Sequence, residues 1–152
     1  MDNDITAILD EAIKIELNIS DLYHIFSEKF SADKDFWWQL VMEEKNHASL
    51  LLTGKEFLKF KRFPKKLLPD SLAELKEVNK MILEIQQKFM TDPDRIRAFE
   101  AAFQLENSTG EVHYQNYMRV ELGDELQDIF RNLNRADIDH AERIKRYWDN
   151  IK

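Results

Sequence analysis

Residues 37–51 read WWQLVMEEKNHASLL, and their spacing decides the fold class. With about 100° of rotation per residue, Trp37, Leu40, Val41, Glu44, His47, Ala48 and Leu51 share one side of a helix. That stripe is apolar except at its middle, where Glu44 and His47 stand one turn apart. A surface helix keeps such groups on its outer face. Here the spacing turns them inward, so this helix is expected to bury a carboxylate and an imidazole together.

The same pattern recurs on both sides of this stretch. A segment from about Asp4 to Phe30 carries the stripe Ile5, Ile8, Ala12, Glu16, Ile19, Tyr23, Phe26, Phe30, with an acid in its middle. The segment around residues 37–51 follows Ser31-Ala32-Asp33 and runs to about Phe60. Another starts at Asp92-Pro93, with Asp92 as N-cap and Pro93 at the first helical position, and ends near Leu122-Gly123. Its stripe is Ile96, Phe99, Ala102, Phe103, Glu106, Thr109, Gly110, His113, Tyr117. The last, from about Asp124 to Trp148, carries Leu126, Phe130, Leu133, Asp137, His140, Ile144, Tyr147, Trp148. Each long helix thus places one acid near its centre on the core side.

Between the second and third long helices, Lys61 to Asp70 reads as a loop because of Pro64 and Pro69. Ser71 then opens a shorter helix to about Phe89, with Glu74 completing a capping box. The short joints after the first and third long helices make antiparallel hairpins. The intervening stretch is long enough to cross the length of a bundle. The expected architecture is all-α: a four-helix bundle, one domain over residues 1–152, with a long crossover connection that contains the extra short helix.

Composition agrees. The chain has 152 residues, 43% hydrophobic and 34% charged, which suits a core with a solvated surface rather than disorder. Three Gly and three Pro are too few to punctuate an all-β fold. The chain has no Cys, which excludes disulfides, iron–sulfur clusters, thiolate zinc sites and a cysteine nucleophile. A net charge of −7 disfavours nucleic acid and anionic membranes as partners. No secretory leader and no membrane span are legible, so a cytoplasmic location is expected.

Four core-facing carboxylates in one bundle are costly unless paired or bound to metal. Two divalent cations match them in charge. His47 and His140 add neutral nitrogen ligands, which suit iron, manganese or zinc better than calcium or magnesium. The spacing alone is weak: with 29 acids in 152 residues, about one His in five has an acid three residues before it. Asp21-x-x-His24 shows the hazard, for it falls off the stripe and reads as surface or boundary. The specific signal is Glu44-x-x-His47 and Asp137-x-x-His140 combined with Glu16 and Glu106, all facing the core. Glu44 is preferred over Glu43, whose angle is less central. The two halves of the chain also repeat one another, each a helix with a single Glu followed by a helix with an acid–His pair. His113 reads as a core or supporting histidine. Trp37, Trp38 and Trp148 read as packing residues.

These residues resemble the ferritin-like superfamily, and within it the di-iron domain of rubrerythrins, in which two helices each give a Glu and two others each give Glu-x-x-His. The resemblance implies Glu16 and Glu106 as single-helix ligands, Glu44 and Asp137 as bridging carboxylates, and His47 and His140 as terminal nitrogen ligands. It implies two iron ions, with manganese or zinc as alternatives. Tyr23, two turns after Glu16, stands where the family often keeps a tyrosine near the metals, which makes it a candidate catalytic residue. Three features depart from the family: Asp137 replaces the usual Glu, Thr109 stands where an additional carboxylate is common, and the rubredoxin centre is missing. The implied activity is reduction of peroxide or O2, or ferroxidase chemistry, with electrons from an external donor protein and a homodimeric assembly. A non-catalytic iron-handling protein and a structural bundle with a degenerate site use the same residues and stay open at this point.

Overall fold

The computed structural model describes residues 3–57, 72–114 and 139–151. They form α1 (Asn3–Lys29), a single 3-10 turn (Ser31–Asp33), α2 (Lys34–Phe57), α3 (Leu72–Thr91), α4 (Arg95–Tyr114) and α5 (139–151). No strand occurs among the described residues, so the all-α expectation holds for them. The chain divides into two compact units, Met1–Pro93 and Asp94–Lys152.

In the first unit, α1 packs against both α2 and α3. Leu9, Ala12, Ile15, Ile19, Leu22, Tyr23 and Phe26 recur every three or four residues along α1 and are buried. The helix closes with the Phe30 amide donating to the Phe26 carbonyl (2.9 Å), and Asp33 N–H donates to Phe30 (2.9 Å) as the chain reverses. The hairpin register is antiparallel. The Lys55 ammonium meets the Asp10 carboxylate at 2.7 Å near one end, and the Ser20 hydroxyl donates to the Val41 carbonyl (3.1 Å) further along. At the far end Tyr23 lies 5.4 Å from Trp37. Phe26 makes edge-on contacts with Trp37 (4.9 Å) and with Phe89 of α3 (4.8 Å), so one aromatic side chain ties three helices.

The α1–α3 seam is polar where an apolar one would suffice. Asn79 sits on the buried face of α3 among Leu75, Ile82 and Phe89. Its amide donates to the Glu11 carboxylate (2.7 Å) and carbonyl (3.2 Å), and its oxygen accepts from Asn18 (2.9 Å). Gln86 donates to the Asn18 carbonyl at 2.8 Å. Each buried polar atom of Asn79 is therefore satisfied, and the ladder fixes the register of α3 on α1.

The start of α4 differs from expectation. Asp94, not Asp92, caps it: its carboxylate accepts from the Arg97 amide (3.0 Å) and its carbonyl from the Ala98 amide (3.0 Å). Asp92 belongs to the end of α3, because its N–H donates to the Lys88 carbonyl (2.8 Å). Pro93 stands between them and continues neither helix. In the second unit Ala98, Phe99, Ala102 and Leu105 bury one face of α4, whereas Ile96, expected inside, is 59% exposed. The buried face reaches round to Ala98 and Leu105 instead. Phe99 stacks on Tyr147 of α5, ring centres 5.6 Å apart. The expected ends near Phe60 and Leu122, the Ser71 cap and the start at Asp124 lie outside the described residues.

Candidate metal centre

Each ionisable site residue arises from a helical repeat that the surrounding apolar positions force inward. On α1, Glu16 lies between the buried Ile15 and Ile19 and is itself buried. On α2, Trp37, Leu40, Val41, Ala48 and Leu51 are buried, and that packing carries Glu44 and His47 into the hairpin interior. Glu44 is 0% exposed and His47 3%. Glu43, one residue away, is only partly buried.

Within the first unit these three side chains converge. His47 Nδ1 lies 3.3 Å from Glu44 Oε2 and 3.7 Å from Glu16 Oε2. A charged N–H···O⁻ bond closes to about 2.7–2.9 Å. Two donor atoms on one cation, each about 2.0–2.2 Å from it, sit about 3.0–3.6 Å apart at ordinary coordination angles. The 3.3 Å separation falls within the second range, and the 3.7 Å separation lies just beyond it. The second unit holds a smaller set of the same kind: His140 Nδ1 of α5 lies 3.4 Å from Glu106 Oε1 of α4, and both side chains are buried.

Two carboxylates with one imidazole, and one carboxylate with one imidazole, form donor sets of oxygen and nitrogen. Such sets suit iron, manganese or zinc. The chemistry of these donors is that which a divalent transition-metal ion takes, with three of them near one another in the first unit and two in the second. The set is larger in the first, where two carboxylates approach one imidazole nitrogen.

Asp137 lies outside the described residues, as do the side chains of Thr109, Gly110 and His113. Asp21 and His24 are exposed, as expected of the pair that falls off the stripe, and His24 Nε2 approaches Glu28 at 3.5 Å instead. Tyr23 is fully buried and packs on Trp37 and Phe26 (6.2 Å), two turns from Glu16, or about 10 Å along the helix. Its ring contacts are those of the aromatic core.

Trp38 corrects the reading of the tryptophans as packing residues. Trp37 is buried, but Trp38 is 45% exposed, because adjacent helical residues point about 100° apart and only one can share the stripe. The Glu11–Asn79 network lies outside the stripes that the helical period picks out. Its signal is Asn79, which is buried among the apolar residues of α3 and needs a partner there.

Among the described residues, no helix is long and apolar enough to cross a membrane. No family model matches the chain, and neither the curated proteins nor the solved structures contain a significant match to it.

Proposed function

We propose that the chain is a ferritin-like di-iron carboxylate protein, a four-helix bundle with a crossover connection, that reduces peroxide or O2 with electrons from an external donor protein. One observation carries the reading: in the first unit, two buried carboxylates from different helices face a single imidazole nitrogen at 3.3 and 3.7 Å. The Glu106–His140 pair in the second unit supports it independently, and so does the internal repeat of the sequence.

In this reading Glu16, Glu44 and His47 from one half, with Glu106, Asp137 and His140 from the other, hold the two ions. Two ferrous ions, when bound, supply two electrons together. The chain's own side chains do the rest. Four carboxylates balance the charge of the bound ions. The two imidazoles provide neutral donors that leave that balance unchanged. The packed residues above and below, Ile15, Ile19, Leu40 and Ala48 among them, limit access of bulk water to the site. The Asp137 side chain is one methylene shorter than that of Glu.

The reading is tested by substitution. Glu44→Ala and His140→Ala should each remove iron and the visible absorption of the oxidised iron-loaded protein, together with peroxide consumption. Full iron content and activity in either variant would exclude that residue from the site. Iron bound at full stoichiometry without peroxide or O2 turnover in the unsubstituted protein would favour iron handling over catalysis.

A further inference from the structure

Helix α3 carries two overlapping stripes, and the less apolar of them is the one that is docked. Leu75, Val78, Ile82, Ile85 and Phe89 recur every three or four residues and make a wholly apolar stripe. Leu75, Asn79, Ile82, Gln86 and Phe89 make the other, which shares three residues with the first. At about 100° per residue, the centres of the two stripes lie about 40° apart around the helix. Apolar burial alone favours the first, because a buried amide needs a partner and an aliphatic side chain does not. Yet Asn79 is 7% exposed, whereas Val78 and Ile85 are only half-buried.

The partners on α1 account for this turn. Contacts between the two helices advance together, from Glu11–Asn79 through Asn18–Gln86 to Phe26–Phe89, so α3 runs parallel to α1. Glu11 and Asn18 stand two turns apart on α1 and reach Asn79 from both sides, at 2.7 and 2.9 Å. Lys14 approaches the other Glu11 oxygen at 3.3 Å. The bonds to Asn79 form only while its amide points at α1. A roll of about 40° at the outer radius of a helix moves that amide by about 4 Å, which breaks each of them.

We propose that Asn79 sets the orientation of α3. Its bonds to Glu11 and Asn18 hold the helix rolled by about 40° from its apolar stripe. Without them α3 turns to bury Val78 and Ile85 and stays on α1. Asn79 is thus a positioning residue, and the ladder gives up apolar burial for one defined docked face. A buried amide that fixes register in a coiled coil works by the same physics. The inference is independent of the metal reading, since none of these residues belongs to the candidate centre.

The chain has no Cys, so single introduced thiols report the roll without background. Val78→Cys places a thiol on the half-buried edge that the roll turns inward. Leu83→Cys places one on the exposed side that the roll turns further out. Alkylation by a maleimide is timed on the full chain with each reporter alone, and again with Asn79→Ala added. In the Asn79→Ala background the thiol at position 78 should react about tenfold more slowly, since a buried thiol reacts only through local opening. The thiol at position 83 should react at least as fast as before. Glu11→Ala combined with Asn18→Ala removes the partners from the other helix and should slow position 78 in the same way. This second background decides the matter if the first fails to fold. Faster reaction at both positions in a folded variant means that α3 leaves α1, and overturns the proposal. An unchanged rate at position 78 overturns it too, as does slowing in only one of two folded backgrounds.

Discussion

At the level of Tyr23 and Trp37 the α1–α2 hairpin is aromatic, with Phe26 bridging to Phe89. Two turns along each helix, at Glu16 and Glu44, the same hairpin is ionisable and no less buried. Both levels lie on the same two stripes and differ only in residue type. The aromatic level gains free energy from burial and ring packing. The carboxylate level loses it, because desolvating charges is costly without a cation to neutralise them. The first holds the helices at the spacing that the second needs.

This division predicts opposite responses to substitution. The largest change is expected at Trp37. Trp37→Ala empties the contact with Tyr23 and Phe26 and should cost about 3–5 kcal/mol, read by urea denaturation of the metal-free protein. A cost under about 1 kcal/mol would mean that the aromatic level does not hold the hairpin. At the other level, replacing Glu44 and His47 together by Leu should stabilise the metal-free chain, by about 1–4 kcal/mol. Fe2+ should raise the melting temperature of the unsubstituted protein and leave that of this variant unchanged. If the variant is instead less stable without metal, the two levels are not opposed and Glu44 and His47 serve packing.

A third substitution sharpens the comparison by addressing a buried polar group that has its partners. Asn79→Ala removes the donor to Glu11 and the acceptor for Asn18, and should cost about 1–3 kcal/mol in thermal denaturation. Unlike at Glu44 and His47, added Fe2+ should leave that cost unchanged. The smallest effect is expected at the cap of α4, where Asp94→Ala should cost about 1 kcal/mol. Asp92→Ala, at the end of α3, should cost less. Equal costs would place the cap elsewhere.

These contrasts also mark how far residue patterns carry. The buried side of α2 was legible because Trp37, Leu40, Val41, Ala48 and Leu51 follow the helical period without a break, and they take Glu44 and His47 with them. The preference for Glu44 over Glu43 rested on angle alone, and the burial of the two residues differs in the same sense. For Trp38, residue type suggests packing while the helical period points outward, and the period prevails. Asp92 and Asp94 both flank Pro93, and which one caps depends on how far α3 extends, which is a matter of backbone hydrogen bonding rather than residue type. The Asn79 ladder depends on which helix lies against α1, a tertiary fact that no local pattern encodes. The convergence of Glu16 with Glu44 and His47 was approachable because the α1–α2 joint is short and forces an antiparallel pair. The part played by Asp137 rests on sequence alone.

The central claim is that the buried carboxylates and imidazoles exist to hold two metal ions. An anaerobic titration of the metal-free protein with Fe2+, followed by calorimetry, tests it most directly. Two tight equivalents per chain are expected. One equivalent, abolished by Glu44→Ala and untouched by His140→Ala, would reduce the centre to the first unit's donors. No binding at all would contradict the claim and leave Glu16, Glu44 and His47 as a buried polar cluster with a structural role.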